Sequence, residues 1–446
     1  MRAYFDHAAT SPMPEHVLNT YVRELRECGN PSSLHAEGQE ARMRMESARA
    51  RLAAAVGAQP AEVVFTAGGT EADNLALQGL HAARNREAVR PRILVSGIEH
   101  HAVLETAEHM ECGVPESQRA ELVVLPVDRT GFLDLAAAEA ALAEAPERTS
   151  LVSVMLANNE VGTVQPVHEL VRLAHAHGIP VHTDAVQALG QVPLDFAALG
   201  VDAMSLSAHK VGGPVGTGAL VLARGLSPVP VLHGGGQERG VRSGTLDVAG
   251  ATAFAVAAET AVAHLRDGTA ARMAQLRDRL LDGIAATVPD AVITGRWRGA
   301  GAVAGAGSGL GTERPAVSAA DSAVESGSAG LPEGRPVCLP EGWPTRLPAN
   351  AHVIFPGCEG DSLLYLLDME GFATSTGSAC QAGVSRPSHV LLACGFSEDD
   401  ARSTQRFSLG PETTQEEVDR LLAVLPEVVT RARKAGMVSA TPRWAE

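Results

Sequence analysis

Lys210 ends the run Val201-Asp-Ala-Met-Ser-Leu-Ser-Ala-His-Lys210, with Gly212, Gly213 and Pro214 just beyond it. Val201 to Leu206 alternates small, apolar and polar groups as a short strand does. The glycines and the proline forbid a helix directly after the Ser207-Ala-His-Lys210 corner. A lysine at the carboxyl end of a strand is where an α/β enzyme presents a reactive amine. A lone lysine in a turn is ordinarily a solvated surface group, but the upstream segment Gly178-Ile-Pro-Val-His-Thr-Asp184-Ala-Val-Gln187 changes that reading. It has the form of a buried strand that delivers an aspartate and then a glutamine at its end. An amine that can bond an aldehyde, with a carboxylate facing a pyridinium nitrogen, is the protein's share of pyridoxal phosphate chemistry.

Other groups could serve the same site. Ala67-Gly-Gly-Thr-Glu-Ala-Asp-Asn74 joins a strand to a helix, so free backbone N–H groups and the helix dipole at Gly69 and Thr70 favour an anion. The turn has neither the lysine of a nucleotide P-loop nor G-x-G-x-x-G spacing, which argues against ATP and NAD. His100 and His101 have no partner ligands at zinc spacing, and a histidine at a strand end can instead lie flat on a cofactor ring. Arg406, on the strand Gln405 to Gly410, is suited to clamp a carboxylate. Cys380 sits among small residues in Phe372-Ala-Thr-Ser-Thr-Gly-Ser-Ala-Cys380-Gln-Ala-Gly-Val384, with no apolar neighbours at core spacing, so a reactive thiol is expected there. Cys394, on an apolar helical face, reads as inert.

The elements that must position these groups alternate, strand then helix, from about residue 62 to 222. That order predicts a mostly parallel sheet with its site along the carboxyl edge. Thr70, His100, Asn159, Asp184, Gln187, His209 and Lys210 all fall just past strand ends. The glycine loop Leu232-His-Gly-Gly-Gly236-Gln-Glu-Arg-Gly-Val-Arg242-Ser-Gly-Thr245 follows, and helices to Leu265 and from Ala270 to Thr287 carry the chain into a second unit. Residues 13–263 are expected to form the large cofactor-binding domain, with 1–12 and 264–446 as the small domain bearing the cysteine loop. Residues 299–347 are rich in Gly, Ala, Ser and Pro without hydrophobic period, and read as a disordered insertion.

Composition narrows the class. Aromatic residues are 3% of the chain, so the core must come from Ala, Val and Leu. A net charge of −16 argues against direct nucleic-acid binding. No apolar window reaches the ~20 residues that cross a bilayer. The six cysteines are scattered with no C-x-x-C pair, and the opening Met1 to Asp6 has no apolar h-region; reduced thiols in a cytoplasmic protein are expected.

Taken in order, Asp6-His-Ala-Ala-Thr10, Gly29-Asn-Pro-Ser-Ser33, Gly69-Thr-Glu-Ala-Asp-Asn74, Glu99-His100, Asn158-Asn-Glu-Val-Gly162, Asp184-Ala-Val-Gln187, Ser207-Ala-His-Lys210, Arg242-Ser-Gly-Thr245, Gly377-Ser-Ala-Cys380 and Arg406-Phe-Ser-Leu-Gly410 resemble a cysteine desulfurase of the class V aminotransferase family, on its NifS/IscS side. The resemblance covers nearly the whole chain apart from the insertion. It implies the pyridoxal phosphate-dependent transferase fold (fold type I): a large domain with a mostly parallel seven-stranded sheet, and a smaller α+β domain. It further implies that Lys210 bonds pyridoxal 5′-phosphate and moves protons, and that Asp184 pairs with the ring nitrogen. Gln187 and Asn159 would lie near the ring hydroxyl and His100 on the ring face. Gly69, Thr70, Ser207 and His209 would hold the phosphate, joined by Thr245 of a second subunit in a homodimer. Asn30 and Arg406 would receive the carboxylate of L-cysteine. Cys380 would take its sulfur as a persulfide and pass it to an iron–sulfur scaffold or a tRNA-thiolation enzyme. A selenocysteine lyase or an aminotransferase of the same family is the alternative.

Overall fold

Runs of fully buried β-branched and small residues, each closed by a glycine- or polar-rich turn, build the centre of this protein. The computed structural model describes residues 2–86, 88–116, 119–297, 339, 343–377 and 387–439. In chain order the elements are β1 (Ala3–Tyr4), α1 (Glu15–Leu25), α2 (Ala36–Ala55), β2 (Val63–Thr66), α3 (Gly69–Arg84), β3 (Arg92–Ser96), α4 (His101–Cys112), β4 (Glu121–Leu125) and α5 (Leu135–Glu144). Then come β5 (Thr149–Ser153), α6 (Val167–His175), β6 (Val181–Asp184), α7 (Phe196–Leu199), β7 (Ala203–Ser207), β8 (Gly218–Leu222), α8 (Val248–Ala263) and α9 (Thr269–Thr287). The remainder is β9 (Val292–Ile293), β10 (Asn350–Ile354), α10 (Gly360–Met369), β11 (Phe372–Ala373), α11 (His389–Ala393), α12 (Glu398–Arg402), β12 (Thr404–Ser408) and α13 (Gln415–Ser439).

The main sheet has seven strands in the order β2-β8-β7-β6-β5-β3-β4. Neighbours from β7 to β4 run parallel, and β8 is antiparallel to both β2 and β7. This is the α/β fold expected of the chain. Both faces are covered, as a parallel sheet requires. Leu52, Val152, Leu170, Met204 and Phe254 belong to the cluster on one face, and Leu75, Leu77, Ile93 and Leu220 to that on the other.

A separate cluster joins Ala3 and Phe5 of the amino terminus to Leu280, Ile284, Val353, Leu363, Phe407 and Leu425. Its strands form an antiparallel trio β12-β10-β9 and a parallel pair β1-β11. The expected insertion needs one correction. Most of 299–347 lies outside the described residues, but its last five are part of the packed fold. Val164 N donates to Thr345 O, Leu347 N donates to Gly162 O, and Arg346 and Leu347 are buried. Backbone pairing with a buried loop, which a composition-based reading does not detect, holds them there. Among the described residues no helix is long and apolar enough to cross a membrane.

Candidate active site

Along the carboxyl edge of the sheet lies a cleft of about 580 Å³. Asp184 is the last residue of β6, and its Oδ1 accepts from Val186 N at 2.8 Å, which turns the chain off the strand. Lys210 stands in the single turn after β7. Gly68, at φ +140°, makes the bend from β2 into α3. A Cβ on Gly69 would lie 2.9 Å from Val186 Cγ2, so only glycine lets the amino terminus of α3 settle this close to the Asp184 turn. Gly69, Thr70, His100, Asn159 and Asp184 line the cleft, and so do Gln187, Ser207, His209, Lys210 and Arg406.

Burial sets the charges. It lowers the Lys210 ammonium to about 8, with the nearby Arg406 charge acting the same way. It raises the Asp184 carboxyl to about 6, against the opposing pull of the Val186 N–H and of Lys210. His100 is lowered to about 4, chiefly by burial, and is a neutral imidazole at neutral pH. Its Nδ1 accepts from Ala102 N at 3.1 Å as the amino-terminal cap of α4, so the ring hydrogen sits on Nε2. His209 is lowered to about 4 by burial and then by Lys210, and its Nδ1 is 3.2 Å from Thr10 Oγ1.

Several groups are engaged differently from their expected roles. Lys210 Nζ donates to Ala8 O at 2.7 Å and Ala9 O at 2.9 Å. Gln187 Nε2 donates to the same Ala8 carbonyl. Arg406 Nη2 donates to Asp6 Oδ1 and Nη1 to the backbone carbonyl of Asn159, both at 3.0 Å. Asn30 and Thr245 are exposed and do not line the cleft, and Asn30 Oδ1 accepts from Ser32 N in a local turn. Cys380 lies outside the described residues. Cys394 is buried, and burial pushes its thiol up to about 12, as befits an inert side chain.

Asp6, Asp73, His101, Glu160 and His389 also line the cleft, and sequence reasoning gave none of them a role. The rings of His101 and His389 pack at a tilt of 56° with centroids 4.7 Å apart, and His389 Nε2 lies 2.9 Å from Glu99 O. Nothing local in the chain marks such a pair, whose members are 288 residues apart (389 − 101). Among the described residues no three His, Cys, Asp or Glu side chains could hold a metal ion.

A family model described as "Aminotransferase class-V" matches residues 3–297. The chain belongs to that family. An "IscS-like cysteine desulfurase" of Mycobacterium tuberculosis is 44% identical over 439 residues, covering 98% of this chain and 99% of that protein. A "Cysteine desulfurase IscS" of Methanosarcina thermophila is 37% identical over 442 residues, covering 99% and 94% respectively. Among solved structures, a NifS-like protein superposes with a TM-score of 0.77 at 33% identity, covering 97% of this chain and 100% of its own.

The cofactor of this class V family is pyridoxal 5′-phosphate, and the cleft fits it. The cleft holds an amine of lowered basicity, a buried carboxylate within that amine's field and a neutral imidazole. It also holds a glycine-led helix amino terminus for the phosphate.

Proposed function

We propose that this chain is a cysteine desulfurase, taking sulfur from L-cysteine with pyridoxal phosphate and leaving L-alanine and a persulfide on Cys380. The observation that carries the reading is the company Lys210 keeps. Asp184, His100, Arg406 and the amino terminus of α3 line the same cleft as its amine. Thr70, Ser207, His209 and the N–H groups of Gly69 and Thr70 would hold the phosphate. Asp184 would pair with the ring nitrogen and His100 would lie on the ring face, with Gln187 and Asn159 toward its hydroxyl. Bound there, pyridoxal phosphate supplies an electron sink for the bonds at the substrate Cα.

Lys210, as a neutral amine, takes the Cα proton and returns protons on the product side. Arg406 receives the substrate carboxylate, since its Nε is buried without a partner among the described residues. The Cys380 thiolate attacks the substrate sulfur. A sulfur–sulfur bond forms as the carbon–sulfur bond breaks, and the electron pair passes to the carbon skeleton that leaves as alanine.

Thr245 is exposed on the glycine loop, which suits a homodimer in which it completes the partner's phosphate site. The acceptor is an iron–sulfur scaffold or a tRNA-thiolation enzyme, in the reducing cytoplasm that a free thiol nucleophile requires. Incubation of purified protein with L-cysteine should add one sulfur atom to the Cys380 peptide by mass spectrometry, with alanine formed alongside. Cys380→Ala should release no sulfide. Undiminished turnover in that variant would favour an aminotransferase instead.

A further inference from the structure

A buried group of acids borders the cleft. Asp73 on α3 is 1% exposed, and its Oδ1 has no hydrogen-bond partner among the described residues. Facing it from β6 are His182 and Asp184, two positions apart and so on one face of the strand. From β7 comes Ser205, whose hydroxyl favours the ionised form of Asp73, and from the turn after β3 comes Glu99. His182 Nε2 stands 3.7 Å from Asp73 Oδ1. Its ring nitrogens lie beside serine hydroxyls, Nδ1 at 2.8 Å from Ser153 and Nε2 at 2.9 Å from Ser205, and it is wholly buried, so that it supplies no countercharge. Burial lowers that ring to about 3. Glu99 is another carboxyl, raised to about 8 by its own burial.

Like charges in a water-excluded pocket do not ionise together without a cation. Asp184 has what an anion needs, a backbone N–H at 2.8 Å and the field of Lys210. Asp73 has no backbone N–H donor, and its Oδ1 is orphaned among the described residues. We propose that Asp73 works as a neutral acid, keeping its proton so that the pair's single negative charge stays on Asp184. Burial, the Asp184 charge and Glu99 all raise the Asp73 carboxyl well above the carboxylate range.

Resting on the pyridoxal phosphate reading, this makes Asp73 a positioning residue that acts through Asp184. Were Asp73 ionised, it would drive Asp184 upward and remove the anion from the ring nitrogen.

Infrared spectroscopy of the cofactor-free protein at neutral pH tests the protonation directly. Aspartate labelled with a heavy carboxyl carbon should show a protonated-carboxyl band in the wild type that disappears in Asp73→Asn. The Glu99 band, unlabelled, serves as the internal control. Pyridoxal phosphate affinity of Asp73→Asn should stay within about threefold of wild type, because the amide keeps a donor and adds no charge. Asp184→Asn should weaken it by about tenfold or more.

The absence of a protonated-aspartate band in the labelled wild type would overturn the proposal even if no variant folds. A folded Asp73→Asn that binds the cofactor more than about tenfold worse would do so too, by showing that a charge was needed. Failure of the wild type to bind pyridoxal phosphate at all would instead sink the desulfurase reading, while the band would still report the state of Asp73.

Discussion

Burial and the Arg406 charge lower the Lys210 ammonium to about 8, and only its unprotonated amine can attack an aldehyde. In the cofactor-free protein the rate of pyridoxal phosphate attachment should rise with pH through about 8 and level off above it, as followed by stopped-flow absorbance. Arg406→Gln removes a like charge and should move the midpoint upward; a midpoint unchanged in that variant would refute the electrostatic account.

Glu99 offers a test of opposite sign. Its folded carboxyl is raised to about 8 from an ordinary 4.5, so between those values the folded state binds more protons than the unfolded chain. Stability therefore falls as pH rises through that window. Glu99→Gln keeps an acceptor for Ser96 and Met155 without the ionisation. Its melting temperature should gain on the wild type as pH rises, and equal pH dependence in the two proteins would contradict the shift.

At the scale of elements, close backbone approach and one buried ion pair hold the phosphate turn and the glycine loop. A Cβ on Gly218 of β8 would lie 2.5 Å from the Gly68 carbonyl carbon, so Gly218→Ala pushes on the turn that aims α3. It should cost about 2 kcal/mol by thermal unfolding and weaken phosphate binding. In the glycine loop, Glu238 and Arg239 adopt φ of +47° and +58°, which non-glycine residues rarely do. Buried Arg49 grips Glu238 through two bonds of 2.7 and 2.9 Å, and Arg49 and Arg239 both donate to Val63 O. Removing one partner strands a buried charge. Glu238→Gln should cost about 3 kcal/mol, and the double variant Arg49→Met, Glu238→Gln should recover part of it in denaturant titration.

Across the whole molecule the two cores meet at the cleft. The amino-terminal segment pairs β1 with β11, then passes Asp6 to Arg406 and the carbonyls of Ala8 and Ala9 to Lys210. Arg346 lies fully buried between them, bonded to carbonyls of Asn350 and Thr294 and lowered to about 9 by burial and by Arg277. Arg346→Met should strand those carbonyls and lower the melting temperature. For the assembly, sedimentation should show a dimer. Thr245→Ala should weaken cofactor binding although Thr245 lines no part of its own subunit's cleft; unaltered affinity would count against a shared site.

The alternation of strands and helices, the polar corners at strand ends and the lysine among glycines were all legible in the sequence. Period-two patterning and turn chemistry act over a few residues, so local reading reaches them. That is why Asp184, His100 and Lys210 stood out before any fold was known. What only the tertiary structure decided is long-range or depends on burial. The bond from Arg406 to Asp6 spans 400 residues, and the packed end at Arg346 follows a stretch whose composition reads as disorder. The charge states of Asp73, Glu99 and His182 come from exclusion of water, which no residue's identity records. Sequence spacing names the groups able to do chemistry; the folded interior sets which of them carry charge.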